Sequence, residues 1–448
     1  MTLIRELPRA PDLLALHAAD PARYPVLLES VASAGGSARY DLLFATTGEA
    51  LVADVHGRLC GPYAERGRFF DALDAWLHSL AMVASTCAVP FRGGFALLLG
   101  YEIADEIEPR LHLPENPLGT PKALAVRTPV AILRDHGSGS TCVVGEAGAE
   151  ALFDQVATDA MRAIAPVAAR RVITHIDEDD ANRYHAAVHA ALDYIEAGDV
   201  FQVNLSRAWR AVRPADLTAA EIYASLRANN PAPFAGLVQW NGWAMASSSP
   251  ERLVSARDGL LQTRPIAGTR PRFQGDDDAA RVRELVGHPK ERAEHIMLID
   301  LERNDLGRVA VPGSVVVDEL MTVESYAHVH HIVSNVRARL RGGLGPVDAI
   351  RAVFPGGTIT GCPKVRCMEI IAELEGEGRG FYTGALGYLG IDGSMDLNIL
   401  IRSMTMSGDR IEFRAGAGIV ADSVAVQELE ETRAKARGLV RALMPEDA

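Results

Sequence analysis

Residues 201–206 have the sequence FQVNLS, in which apolar and polar side chains alternate. A period of two is typical of a β-strand with one face in the core and one polar face. The preceding residues, 179–197, show a helical pattern, with Asp180 as the predicted N-cap and Gly198 as the stop. The chain is therefore predicted to run from a helix into a sheet, with Gln202 on the polar face of the strand.

Similar patterns continue toward both ends of the chain. Strand-like runs lie at 236–247, 252–263, 313–318, 383–391 and 410–420, and helical patterns lie at 277–307, 343–352, 364–374 and 424–443. Residues 1 to about 165 are rich in Ala and Leu, with short strand-like runs, and 163–171 forms a predicted boundary. Many strands joined by turns, with a few long helices, indicate an α+β fold built on antiparallel sheet.

The composition excludes several classes of partner. The chain has 448 residues and a formal net charge of −13, and a surface of that sign repels nucleic acid and anionic lipid. Its five cysteines are scattered, and none has the spacing of a zinc site. The N-terminus has no apolar signal core, and no run approaches the ~18 apolar residues that span a bilayer. We expect a soluble, cytoplasmic protein.

Two acidic pairs recur in predicted helices. Glu291 and Glu294 are three residues apart in one helix, and Glu428 and Glu431 repeat that spacing in another. Residues at this spacing share a helix face, and carboxylate oxygens suit a hard cation such as Mg²⁺. Taken alone, each pair is more typical of a solvated helix face, so the spacing leaves metal binding open.

Two glycine-rich segments and one histidine are further candidates. Residues 354–364, FPGGTITGCPK, precede a helical pattern, where backbone N–H groups can approach an anion, although an ordinary capping loop has the same composition. Residues 415–420, AGAGIV, place glycines inside a strand, which indicates either close approach of a ligand or a bulge. His331 could act as a general acid near neutral pH, but a structural role is the more common one.

Together and in this order, these segments resemble the chorismate-binding family, which comprises the large subunits of anthranilate synthase and aminodeoxychorismate synthase, isochorismate synthases and salicylate synthases. The resemblance spans residues 180–440. It is carried by SPERLV (249–254), PIAGTRPR (265–272), ERAEHIMLIDLERNDLGRV (291–309), HHIVSNV (330–336), GGTITGCPKVRCMEII (356–371), DLNILIRSM (396–404), AGAGIVADS (415–423) and ETRAKAR (431–437).

The resemblance implies an architecture and a metal site. The fold would be a large antiparallel two-sheet orthogonal sandwich surrounded by helices, with the site between the sheets. Residues 1–165 would form an N-terminal region that packs on the core, and residues 175–445 the chorismate-binding catalytic domain. Mg²⁺ would be held by Glu294 and Glu431, with Glu291 and Glu428 alongside, and would bind the ring carboxylate of chorismate.

The resemblance also implies roles for individual residues. His331 matches a histidine implicated in expelling the ring hydroxyl, and Glu251 matches the acid of the SPE segment. The implied catalytic residues are His331, Glu251, Thr269 and Gln202. The implied substrate-binding residues are Gly268, Thr269, Thr358, Tyr382, Arg402, Gly416, Ala417, Gly418 and Lys435. Chorismate is a dianion, and a divalent ion, a guanidinium, an ammonium and backbone donors supply the positive potential that the net charge lacks.

Gln202 distinguishes the members of the family. Relatives that add water have a lysine as general base here; a neutral amide cannot deprotonate water, whereas ammonia is already nucleophilic. Amination is therefore implied. Residues 356–371 and 230–234 look more like aminodeoxychorismate synthase component I, which leads to 4-aminobenzoate and folate. Ala267, which stands where some of those enzymes have a nucleophilic lysine, is instead the pattern of the alternative, anthranilate synthase component I of tryptophan biosynthesis.

Three further expectations concern partners and ligands. Ammonia should come from a separate glutamine amidotransferase subunit, because no cysteine here lies in a Gly-x-Cys-x-Gly segment. Residues 27–30 match part of the tryptophan pocket of anthranilate synthases, but Phe234 and Ala235 depart from it, so we predict no tryptophan inhibition. A catalytically silent regulator that binds chorismate is an alternative from another class.

Overall fold

The computed structural model describes residues 2–32, 39–80, 89–271, 283, 289–325 and 329–445. At residues 267, 269–271, 289–291, 329 and 330 it describes the backbone alone.

The described strands, in chain order, begin with β1 (Thr2–Glu6), β2 (Val26–Glu29), β3 (Tyr40–Ala45), β4 (Ala50–Ala53), β5 (Leu59–Cys60), β6 (Gly94–Leu99), β7 (Ala123–Thr128), β8 (Val130–Asp135), β9 (Thr141–Glu146), β10 (Asp177–Glu178), β11 (Gln202–Val212) and β12 (Phe234–Trp240). They continue with β13 (Trp243–Ser249), β14 (Arg252–Arg257), β15 (Leu260–Thr263), β16 (Ile266–Pro271), β17 (Val316–Ser325), β18 (Val329–Arg339), β19 (Gly361–Cys362), β20 (Ala385–Gly390), β21 (Met395–Ile399), β22 (Ser403–Ser407) and β23 (Arg410–Ile419).

The described α-helices are α1 (Leu13–Ala19), α2 (Phe69–Leu80), α3 (Ala104–Ile107), α4 (Glu150–Asp159), α5 (Ala181–Glu196), α6 (Ala219–Asn229), α7 (Pro289–Gly307), α8 (Pro346–Val353), α9 (Lys364–Glu375) and α10 (Ala425–Leu443). The predicted cap of α5 is confirmed, because the Asp180 side chain accepts a hydrogen bond from Asn182 N. Within the described ranges, no helix combines the length and hydropathy that crossing a membrane requires.

The strands form two large antiparallel sheets. The first has the order β1-β9-β8-β3-β2-β12-β13-β22-β23-β11-β10, with β19 also paired to β11. The second has the order β16-β18-β15-β14-β21-β20-β6-β7-β4-β5, with β17 paired to β18. Strand β2 pairs with β12 and β6 pairs with β20. Strands from before residue 165 and after residue 175 therefore share both sheets. The predicted α+β fold on antiparallel sheet is confirmed.

The core lies between the sheets and beneath the helices. One buried cluster joins Phe44 of the first sheet to Leu98 and Val126 of the second, so the two sheets face each other. Leu97 and Leu99 point the other way, into a cluster formed with α2, α8 and α9. Because neighbouring residues of a strand point to opposite faces, β6 is buried on both sides.

Two predicted strands are wrong as single elements. The runs 236–247 and 252–263 are each a hairpin, turning at Asn241-Gly242 and at Asp258-Gly259. All four turn residues have positive φ, at 41°, 86°, 51° and 73°. Tight hairpin turns need that conformation, and Asn-Gly and Asp-Gly adopt it at low cost. The run 313–318 corresponds to β17, which starts three residues later. Of the predicted helix at 277–307, residue 283, which is helical, and the residues from Pro289 onward are described, and the others lie outside the described residues.

Candidate active site

The polar face of β11 and the glycines of β23 lie side by side. Asn204 pairs with Gly418 and Leu205 with Ala417. A methyl group on Gly418 would overlap the Gln202 side chain, and one on Gly416 would lie 2.9 Å from the Tyr382 hydroxyl. The glycines therefore make room for polar side chains above the strand, and the alternative of a bulge is not needed.

Ala417 faces the opposite way. It is buried beside Leu205 in the core cluster under the helices, as the alternation along β23 requires. Its predicted contact with substrate would have to come from its backbone.

Helix α7 reaches this face through Glu294. The Gln202 amide Nε2 donates a hydrogen bond of 3.1 Å to Glu294 Oε1. Gln202 is only 5% exposed, so the bond fixes the orientation of a nearly buried amide. The amide oxygen Oε1 has no hydrogen-bond partner among the described residues. Gln202 therefore presents an unused acceptor.

Helix α10 reaches the same strand through Lys435. Its Nζ donates a 2.9 Å hydrogen bond to Gly416 O and forms a 2.8 Å ion pair with Glu431. Glu428, one turn earlier, is buried. Glu294 is therefore linked to β23 through the Gln202 side chain, and Glu431 through the Lys435 side chain. The two glutamates lie on helices that are far apart in the sequence.

Glu251 follows β13 and is a buried carboxyl group. Burial raises its pKa to about 7, against the opposing effects of the Thr358 hydroxyl and the charges of Lys435 and Arg402. Arg402 directly precedes β22 in the chain, and its backbone is in the left-handed conformation, with φ 52°. These electrostatic effects indicate that Glu251, Thr358, Arg402 and Lys435 lie near one another, as predicted for residues that act at one site.

Tyr382 is held by a buried ionic network. The Arg379 guanidinium lies 5.6 Å from the Tyr382 ring centre and is paired with Glu375 at 2.6 Å. Burial raises the pKa of Tyr382 to about 12 despite the nearby Arg379 charge. The tyrosine therefore stays neutral and can donate a hydrogen bond toward Gly416.

His331 lies on β18 in the second sheet and is only 3% exposed. Its backbone pairs with Thr269 across a register shift in β16, where Gly268 has φ 71°. A positive φ suits glycine, which explains this residue at the irregularity. The strands that bear His331, Gly268 and Thr269 are thus adjacent.

Two predicted site residues lie partly outside the described atoms: the side chains of Glu291 and Thr269 are not described. Among the described side chains, no group of three or more His, Cys, Asp or Glu residues could hold a metal ion. The donor chemistry of Glu294, Glu428 and Glu431 fits Mg²⁺, but Mg²⁺ binding stays a prediction.

Four buried oxygens in this region have no hydrogen-bond partner among the described residues: Gln202 Oε1, Asn204 Oδ1, Glu251 Oε1 and Thr358 Oγ1. An unpaired buried polar group costs about 1–3 kcal/mol. Such a concentration is expected where a polar ligand supplies the missing partners.

Two cavities adjoin the site residues without containing them. One, of about 820 Å³, is lined by neighbours of Gln202 and Glu294, including Phe201, Cys362 and Ala293. Asp305 and Lys364 also line it, although both are largely buried, and neither was among the predicted site residues. Both residues lie in the motifs quoted above, so the sequence did contain them. Their charge alone does not reveal that they are buried beside a cavity.

The second cavity has a volume of about 320 Å³. It is lined by residues from both segments that were compared above with the tryptophan pocket of anthranilate synthases. Leu28, Glu29 and Ser30 line it together with Phe234 and Ala235. The Glu29 carboxylate already accepts hydrogen bonds from Tyr223 and Arg227, so it is not a free anion for a ligand.

Two facing antiparallel sheets, the buried Glu251 carboxyl with its unpaired neighbours, the half-buried Arg402 and the Lys435 side chain, which is 42% exposed, define an α+β protein with a site for a small polar anion. The chain belongs to the chorismate-binding enzyme family, whose model, described as chorismate binding enzyme, matches residues 63–441. The match begins well before the 180–440 span seen in the motifs and includes strands of the N-terminal region.

Similar proteins come from both aminating branches. The chain is 40% identical to aminodeoxychorismate synthase component 1 of Bacillus subtilis, over 83% of this chain and 81% of that protein. It is 39% identical to anthranilate synthase component 1 of Streptomyces coelicolor, over 94% and 84%. The solved anthranilate synthase component I of Streptococcus pneumoniae superposes with a TM-score of 0.80 at 32% identity, covering 90% of this chain and 92% of that chain. The chain is a chorismate-using enzyme of this type.

Proposed function

We propose that the enzyme replaces a hydroxyl of chorismate with an amino group, as aminodeoxychorismate synthase component I. The observation that carries the proposal is Gln202, whose amide is held by Glu294 and whose Oε1 is an unused acceptor. Such an oxygen can accept an N–H of ammonia, and an amide cannot act as a base toward water. Amination is thereby favoured over hydroxylation.

The other site residues supply binding and acid chemistry. Arg402 and Lys435 would neutralise the carboxylates of chorismate, and Tyr382 would donate a hydrogen bond. Glu251, with a pKa near 7, can hold a proton at neutral pH and give it to the departing hydroxyl. His331, on the adjacent strands, would assist that departure.

Mg²⁺ would be bound by Glu294 and Glu431, with Glu291 and Glu428 alongside. The support is chemical: Glu294 bonds to Gln202 of β11, beside β23, and Glu431 pairs with Lys435, which bonds to β23, and hard cations prefer such carboxylate oxygens. When bound, the ion would supply positive charge for a substrate carboxylate. Ammonia would come from a separate glutamine amidotransferase subunit, and the enzyme would act in the cytoplasm.

Anthranilate formation is the second candidate, and Ala267 favours it. No lysine stands there to attack the ring, which matches the anthranilate synthase pattern, and the relatives include enzymes of both names.

One incubation separates the two candidates. The purified chain with chorismate, Mg²⁺ and ammonium should give no fluorescent anthranilate, and 4-aminobenzoate should form only after aminodeoxychorismate lyase is added. Fluorescence without the lyase would assign the enzyme to the anthranilate branch instead. Unchanged chorismate under both conditions would refute amination.

A further inference from the structure

A buried row of charged groups connects the candidate site to the cavity of about 820 Å³. Asp305 and Lys364 line that cavity, and Lys364 Nζ donates a 2.6 Å hydrogen bond to Asp305 Oδ2 and a 3.0 Å bond to Val353 O. Glu302 lies one turn before Asp305 on α7, at a spacing that places both side chains on one helix face.

The Glu302 carboxyl interacts electrostatically with both Asp305 and Glu251. The groups that act on its carboxyl are the Thr263 hydroxyl, the charges of Glu251 and Asp305, and the ammonium of Lys364. The turn that carries Thr358 packs directly on this part of α7, because a methyl group on Gly357 would overlap the Leu301 side chain. Leu301, the neighbour of Glu302, thus packs on the turn beside Thr358, whose hydroxyl acts on the Glu251 carboxyl.

Neither carboxyl is fully paired. Glu302 is 8% exposed and Glu251 is 6% exposed, and Glu302 Oε2 and Glu251 Oε1 have no hydrogen-bond partner among the described residues. Burial raises the pKa of Glu302 well above its ordinary value, and the negative charges of Glu251 and Asp305 raise it further. A neutral carboxyl group carries one donor and one acceptor oxygen, so it can take up a proton on one side and release another on the other.

We propose that Glu302 is a proton-relay residue that returns a proton to Glu251 from the cavity through Asp305. The inference rests on the proposed function only in taking Glu251 as the acid. It assigns a role to a residue that lies outside the predicted set of site residues.

The proton balance is complete. Ammonia forms a C–N bond with its lone pair, and the ring C–O bond breaks with its electrons on oxygen. The departing hydroxyl takes the Glu251 proton and leaves as water. Glu302 then protonates Glu251, Asp305 passes a proton from cavity water to Glu302, and the new ammonium group loses one proton to solvent. The net change is ammonia plus alcohol to amine plus water.

The test uses three substitutions of Glu302 in the full chain, with chorismate and ammonium as substrates. Glu302→Gln should lower kcat about tenfold and leave the KM for chorismate within about twofold, since a relay acts after binding. Glu302→Asp, which keeps a carboxyl, should retain more activity than Glu302→Gln. Added formate should partly restore kcat in Glu302→Ala, because the cavity can admit a small acid.

The matched control is Asp300→Asn. Asp300 lies on the same helix and lines the same cavity, but it is exposed and paired with Arg303, so kcat should not change. Wild-type kcat in Glu302→Gln, or a loss in Glu302→Ala that formate does not reverse, would overturn the relay. A wild-type chain that consumes no chorismate would instead refute the proposed function, so the two failures are distinguishable.

Discussion

Glu251 combines burial with two nearby cations, and its ionisation should affect both stability and activity. Its pKa rises from 4.5 to about 7 on folding, so the folded state binds more protons between these values. The contribution of this group to the free energy of unfolding is fully present below the pKa of the unfolded state. It is lost as the pH rises through the pKa of the folded state. At pH 8 the ionised, buried carboxylate therefore costs up to ~3 kcal/mol.

Glu251→Gln should remove that cost. In urea unfolding, the variant should gain up to ~3 kcal/mol over the wild type at pH 8 and little at pH 5. Its kcat should fall by about a hundredfold, because an amide cannot protonate the leaving hydroxyl. Equal stability of the two proteins at both pH values would show that this carboxyl does not ionise in the folded state with a raised pKa.

Gln202 should contribute to the use of ammonia rather than to the binding of chorismate. Gln202→Leu removes the unpaired amide oxygen and the bond to Glu294, so we expect kcat/KM for ammonium to fall about tenfold. The KM for chorismate should change far less. Gln239→Leu, in a partly buried position on β12, is the control. An unchanged dependence on ammonium would remove Gln202 from the amination step.

At the scale of single elements, strand β23 depends on glycine at one position in particular. In Gly418→Ala the new methyl group would displace the Gln202 side chain and break its bond to Glu294. Turnover should fall about tenfold, an effect of site geometry rather than of stability. Gly342→Ala, at a glycine with nothing within 4 Å, should be neutral. Full activity in the Gly418 variant would mean that Gln202 needs no fixed orientation.

Helices α7 and α10 should matter through their glutamates. Glu294→Gln and Glu431→Gln should each abolish Mg²⁺-dependent turnover, because an amide oxygen carries no charge for the cation. Glu430→Gln, at an exposed α10 residue paired with Arg433, should retain it. The measurement is the rate as a function of Mg²⁺ concentration, and wild-type curves in either glutamate variant would exclude that residue as a ligand.

Individual elements were largely predictable, and burial that depends on tertiary packing was not. The alternation from Gln202 to Ser206 and the cap at Asp180 depend on local sequence, and the structure confirms both. The prediction was wrong for Phe201, which precedes β11 and is 71% exposed rather than part of the core. The hairpin turns at Asn241-Gly242 and Asp258-Gly259 were predictable as well, because both dipeptides favour tight turns, and the predicted single strands overlooked that signal. Glu302 was missed for a different reason: its burial depends on tertiary packing, such as that of α7 on the turn at Gly357, and nothing local in LERND distinguishes it from a surface acid.

At the scale of the whole molecule, both sheets draw strands from the two halves of the chain. Sequence patterns cannot give such pairings, since β2 and β12 are about two hundred residues apart. The consequence is that the N-terminal region belongs to the same two sheets as the site-bearing strands.

The enzyme should need a partner to use glutamine. The purified chain should aminate chorismate with ammonium but not with glutamine, and adding a glutamine amidotransferase subunit should confer glutamine-dependent activity. Turnover of glutamine by the single chain would contradict a separate source of ammonia.

The most direct test of the central claim is the mass of the product. Incubation of the purified chain with chorismate, Mg²⁺ and isotopically labelled ammonium, followed by mass spectrometry, should give a product that retains the enolpyruvyl group and has labelled nitrogen in place of one hydroxyl. An unlabelled isomer of chorismate, formed by addition of water, would contradict the account.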